Sequence, residues 1–154
     1  MKLISNKGNL RGIISEYENT PEYIEAALNS GFDVKIDLLL NDGKLFIGND
    51  SNKIKLDIDW LEKYHNKLWL ECKDINLIQK LNQLDNRGAY LNYFWHENDQ
   101  YTLTSHRWIW TYPGKPLTKN SICVMPEWHY DLSEFAFDCY GVCSDYVGSM
   151  KKDY

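Results

Sequence analysis

The residues whose types and spacing could do chemistry gather first in Asp33-Val34-Lys35-Ile36-Asp37-Leu38 and the run that follows it. Side chains on a strand alternate between faces, so Lys35 and Asp37 point one way while Val34 and Ile36 point the other. A lysine and a carboxylate on one strand face can close an internal ion pair or present charge to a ligand. Asp42-Gly43 supplies a tight reversal, since glycine accepts the positive φ that a short turn needs. Leu45-Phe46-Ile47-Gly48-Asn49-Asp50 then reads as a second extended run ending in polar residues. Glu71-Cys72-Lys73 repeats the alternating acid and base at the end of another apolar run.

Other elements must bring these groups together. Leu3-Ile4-Ser5-Asn6 reads as a first strand running into Lys7-Gly8-Asn9. Thr20 as N-cap, Pro21 at the first helical position and Glu22 near the positive end of the dipole predict a helix start. Tyr23, Ile24, Ala27 and Leu28 form its apolar stripe, and Asn29-Ser30-Gly31 stops it. Strand, helix and strand in succession make a βαβ unit, which favours a parallel sheet. A short helix is predicted over 58–64, a strand over 67–73 and an amphipathic helix carrying Ile75, Leu77, Ile78, Leu81 and Leu84. A fourth strand follows at 90–96. Beyond it, strand candidates at 102–105, 108–112, 121–127 and 141–146 arrive too fast for helices between them.

Composition narrows the function classes. A chain of 154 residues with 44% hydrophobic content is long enough for one domain with a real core. A net charge of −5 without a basic stripe argues against general nucleic-acid binding. No apolar run approaches the roughly 20 residues needed to span a bilayer. The first residues, Met1-Lys2-Leu3-Ile4-Ser5-Asn6, lack the apolar core of a signal peptide, so the cytoplasm is the expected location. Cys72, Cys123, Cys139 and Cys143 show no Cys-x-x-Cys spacing and read as reduced thiols.

The motif spacing resembles the glycerophosphodiester phosphodiesterase family, within the wider phospholipase-C-like phosphodiesterases. That family carries Glu-x-Asp on a strand, then Asp-Gly, then a His-Asp pair seven residues after that Asp. Asp37, Asp42-Gly43 and Asp50 stand in those places, with Lys35 for the Glu and Asn49 for the His. Asn6-Lys7-Gly8 stands where the family has His-Arg-Gly, and Glu18-Asn19-Thr20 matches its Glu-Asn-Thr segment. Glu71-Cys72-Lys73 resembles its Glu-x-Lys, whose Glu is a metal ligand. Gly141-Val142-Cys143-Ser144-Asp145 resembles the Gly-Val-x-Thr-Asp of its last strand. The resemblance implies an α/β fold over residues 1–154: a miniature or partial TIM-type (β/α) barrel of eight strands, its second half poor in helices.

In such a barrel the carboxyl ends of the strands build the site. That places Asn6, Lys7, Lys35, Asp37, Asn49, Glu71, Lys73 and His96 around one mouth, with Glu127 and Asp145 beside them. The family's chemistry needs two imidazoles and three carboxylates around a divalent cation. Asparagine at positions 6 and 49 exchanges no proton near neutral pH. Asp37 and Glu71 remain as metal ligands, but Lys35 competes for them and disfavours Ca²⁺ or Mg²⁺, so no cofactor is expected. The expected function is a degenerate member that binds a small phosphate-containing molecule through Asn6, Lys7, Lys35, Asp37, Asn49, Glu71 and Lys73. Two alternatives stand beside it: an active phosphodiesterase or lyase with His96 and Lys73 as proton carriers, and a scaffold or partner-binding protein. Lys35–Asp37 and Lys73–Glu71 also read as internal ion pairs. Trp108, Trp110 and Tyr112 share one strand face and either fill the core or offer a stacking surface. Nothing in the sequence sets the oligomeric state.

Overall fold

Val34, Ile36 and Leu38 alternate with Asp33, Lys35 and Asp37 along one early strand, which gives the sheet two unlike faces. The computed structural model describes residues 1–86, 88, 90–134 and 136–151. Strand β1 (Lys2–Asn6) leads through a loop to helix α1 (Pro21–Asn29), and β2 (Asp33–Asn41) returns beside β1 in parallel. A hairpin of β3 (Lys44–Gly48) and β4 (Lys53–Lys55) extends the far end of β2. Then come α2 (Ile58–Tyr64), β5 (Leu68–Cys72), α3 (Ile75–Leu84) and β6 (Tyr93–Trp95). The rest is β7 (Tyr101–Leu103), β8 (Ile109–Thr111), β9 (Ser121–Val124), a 3-10 turn at Pro126–Trp128, β10 (Gly141–Ser144) and α4 (Val147–Met150).

The TIM-type barrel expected from the sequence is not what forms. The sheet is mixed and has ten strands, curved into a half-barrel with a few short helices. Strands β6, β5, β2, β1, β10, β9 and β8 lie side by side in that order, all parallel. β3, β4 and β7 run antiparallel to their neighbours. The cause is connection length. Only residues 104–108 join β7 to β8, a loop of hairpin length, and the two strands pair antiparallel. That pair closes as a hairpin, so the strand read at 102–105, the fifth of the eight counted, runs antiparallel to its neighbour. Between β6 and this hairpin the bonds centre on Ser105: its amide donates to the Tyr93 carbonyl at 2.8 Å, and the Tyr93 amide donates to its Oγ at 3.0 Å.

The outer face carries the helices. Val34, Ile36 and Leu38 of β2 and Leu68, Leu70 and Cys72 of β5 pack under Ile24, Ala27 and Leu28 of α1 and Leu77 and Leu81 of α3. Full burial of such a side chain contributes about 1.5–3 kcal/mol, so this layer supplies most of the hydrophobic stability of the first half. Thr20 precedes α1 as expected but does not cap it; its hydroxyl donates to the Tyr17 carbonyl. The inner face holds two sets of side chains. Ile4, Trp69, Phe94, Trp110, Ile122 and Cys143 form an apolar plug. On the same face toward the carboxyl ends stand Asn6, Lys35, Asp37 and Glu71, with Lys35 level with Trp69 and Glu71 level with Phe94. Among the described residues no helix is long and apolar enough to cross a membrane.

Candidate functional site

Paired register sets the floor of the site. Asn6 lies opposite Lys35 across β1 and β2, and Asp37 opposite Glu71 across β2 and β5. The Lys35 ammonium donates to Asp37 Oδ1 at 2.6 Å and also pairs with Glu71 Oε2. Lys73 Nζ approaches Glu71 Oε1 at 2.5 Å and Asp37 Oδ1 at 3.6 Å. Lys7 Nζ stands 3.6 Å from Asp37 Oδ2 and 3.9 Å from Glu18 Oε2. Three ammonium groups therefore share three carboxylates, and the floor is close to charge-balanced.

Burial and pairing oppose each other at these groups. Burial pulls the Lys35 pKa down, but Asp37 and Glu71 push it up further, and the ammonium ends well above the ordinary lysine range. Burial pushes Asp37 up, yet Lys35, Lys73 and Lys7 hold it below the usual carboxylate range. Glu71 follows the same pattern, held down by Lys35 and Lys73 against burial. Lys35, with its side chain only 7% exposed, stands between Asp37 and Glu71, where a dication would have to sit. Among the described residues no three His, Cys, Asp or Glu side chains are grouped to hold a metal ion.

A second, neutral-to-acidic network stands beside the first. Asp145 Oδ1 accepts from Asn6 Nδ2 at 2.9 Å and from Asn9 Nδ2 at 2.8 Å, and Asn9 Nδ2 also reaches Glu18 Oε1 at 2.7 Å. The Asp145 amide donates to Glu127 Oε1. Asn19 clamps Asp37 from above, accepting from its backbone amide and donating to its Oδ2, each at 3.1 Å. The loop that supplies these groups depends on left-handed backbone at Lys7 (φ 57°), Gly8 (φ 98°) and Asn19 (φ 57°). A Cβ at Gly8 would collide with the Tyr23 ring.

Above the floor opens a cleft of about 430 Å³. Asn6, Lys7, Glu18, Lys35, Glu71, Glu97 and Asp145 line its polar side, four carboxylates to two ammonium groups. The other side is Ile13, Trp110, Tyr112, Met125 and Trp128, with Pro113 and Val124 behind them. His96 lines the cleft between the halves, its Nδ1 buried without a hydrogen-bond partner. Burial lowers its pKa, against the pull of Glu71 and Asp99, so the ring is neutral at pH 7.

Of the residues read from the sequence, the structure brings Asn6, Lys7, Lys35, Asp37, Glu71, Lys73 and His96 to one end of the sheet, with Glu127 and Asp145. Asn49 is not among them. It is exposed in the turn between β3 and β4, where its Oδ1 accepts from the Ser51 and Asn52 amides. The hairpin carries it off the parallel strands, so its correspondence to a family histidine has no counterpart in space. Sequence reasoning missed the roles of Asn9 and Asn19 and, of the apolar wall, Ile13, Met125 and Trp128. The Ile13-Ile14 pair inside a polar loop was a local signal for the first of these. Of the tryptophan strand, Trp110 packs on Phe94 and Trp69 in the plug and also lines the cleft with Tyr112, while Trp108 stacks on Tyr140 with ring centres 3.6 Å apart. Comparisons with models of protein families, with curated proteins and with solved structures found nothing that matches this chain.

Proposed function

We propose that this protein binds a small molecule carrying a phosphate group in the cleft at the carboxyl ends of its parallel strands, without efficient hydrolysis. The observation that carries the reading is the cleft itself, which joins a lysine-bearing polar floor to an aromatic wall. Lys7 is the ammonium best suited to meet an anion: it is partly exposed, and its contacts of 3.6 and 3.9 Å are long for ion pairs. Lys35 is committed to Asp37 and Glu71 and acts mainly as their internal counterion. The asparagine at position 6 offers a hydrogen bond but no proton transfer. Kinship to the glycerophosphodiester phosphodiesterases is part of the same proposal. Asn6-Lys7-Gly8, Lys35-x-Asp37 and Glu71-x-Lys73 support it; the displaced Asn49 and the mixed sheet count against it.

The test is calorimetric titration with a glycerol phosphodiester, beside an assay of bis(4-nitrophenyl) phosphate with and without Ca²⁺ or Mg²⁺. Binding should weaken between about 0.1 M and 1 M salt, as the Debye length falls from about 10 Å to about 3 Å. Lys7→Gln should lower affinity about tenfold, since a hydrogen bond to a charged group contributes about 1.5–3 kcal/mol. Metal-dependent turnover unaffected by Lys35→Ala would overturn the proposal, and so would affinity indifferent to Lys7→Gln.

A further inference from the structure

The cleft is larger than a phosphate group needs, and the excess is apolar. Three large side chains from three separate segments stand exposed around it. Ile13 follows β1 and is 59% exposed, Tyr112 follows β8 at 37%, and Trp128 closes the 3-10 turn after β9 at 61%. Single exposed apolar residues are ordinary on a protein surface. Three that line one concave space together with Trp110 and Met125 are a different observation. Met125 holds a left-handed backbone at φ 45°, a strained conformation for a residue with a Cβ, and it lines the cleft. On the opposite wall every group is charged or an amide, and Lys7 is the loosest cation there.

We propose that the cleft selects an amphiphilic anion: a phosphodiester whose one ester group is apolar and lies against Trp128, Tyr112 and Ile13 while the phosphate meets Lys7. This rests on the reading of the polar half as a phosphate site and names the rest of the molecule. The apolar group gains by leaving water, at a rate set by the area it buries. A fully buried methylene is worth about fourfold in affinity, so partial burial in an open cleft gives about two- to threefold per methylene. A polyol or sugar ester gains nothing on this wall, because its hydroxyls would lose water without partners.

The experiment is a titration series of methyl alkyl phosphates (methyl, butyl, hexyl), kept below aggregation and read by tryptophan fluorescence and calorimetry. All carry the same single charge, so any trend comes from the ester group. Affinity should climb about two- to threefold per methylene. Trp128→Ser and Ile13→Ser, both at exposed positions, should each flatten that slope, whereas Lys7→Gln should lower the whole series and leave the slope unchanged. Phenyl methyl phosphate separates the two sources of an apolar group: an advantage over the hexyl ester means ring stacking, and none means plain burial, either of which upholds the proposal. Uniform affinity along the series, or tighter binding of the glycerol ester than of the hexyl ester, overturns this inference and leaves the phosphate reading standing. Hexanol binding as tightly as hexyl methyl phosphate overturns the phosphate reading, and no binding by any member overturns both.

Discussion

Replacing Lys35 by methionine keeps the side chain out to Cε and removes the buried cation held between Asp37 and Glu71. Both carboxylates are buried, and each is held below its ordinary pKa with Lys35 as the largest favourable influence. Removing one partner of a buried ion pair costs about 3–5 kcal/mol, because a charge is left in a medium that solvates it poorly. Here the lower end applies. Lys73 still stands 2.5 Å from Glu71 and 3.6 Å from Asp37, and Lys7 3.6 Å from Asp37. The expected loss is about 3 kcal/mol at pH 7, a fall in Tm of roughly 6–12 °C for a chain of this size. The pH dependence has a definite sign. In the wild type the depressed carboxylates contribute stability above their unfolded values of about 3.9 and 4.3, lost as pH falls through the lower folded values. In Lys35→Met, burial wins and the folded values rise, so stability increases as pH falls from 7 toward 4.5. Urea denaturation of both proteins at pH 7 and 4.5 reads this directly: the gap should narrow in acid. A variant within about 1 kcal/mol of wild type at pH 7 would mean that Asp37 and Glu71 are solvated there, and the account of the floor would fail.

Three further outcomes follow from the same geometry. Lys35→Glu places a third carboxylate between Asp37 and Glu71, so the apoprotein should be less stable than Lys35→Met and should regain Tm on adding Ca²⁺; a calcium-indifferent Tm refutes the convergence of the three positions. Gly8→Ala should lose about 1–3 kcal/mol by thermal denaturation, through the positive φ and the Tyr23 collision, and a neutral result would place Gly8 in an ordinary conformation. The His96 ring, observed by NMR through a pH titration, should show a midpoint below 6.5, set by burial; a midpoint above that value would mean Glu71 and Asp99 dominate instead.

Local sequence determined the strands of the first half, their parallel order and the pairing of Lys35 with Asp37, because each rests on side-chain alternation and short-range helix signals. Glu71 and Lys73 were legible for the same reason, since one strand face repeats every second residue. The direction of β7 was not. Short apolar strands look alike whether they run parallel or antiparallel, and only the five-residue connection from β7 to β8 forced a hairpin. Asn49 was assigned to the mouth by counting residues from Asp42. Counting cannot see that β3 turns back along β2 and takes position 49 away from the parallel strands. That Lys35 bridges two carboxylates on different strands, and that Ile13, Tyr112 and Trp128 meet from three distant segments, was decided by tertiary structure alone. The physical reason is common to both: such contacts come from sheet curvature and register between strands far apart in sequence, and no local pattern encodes either.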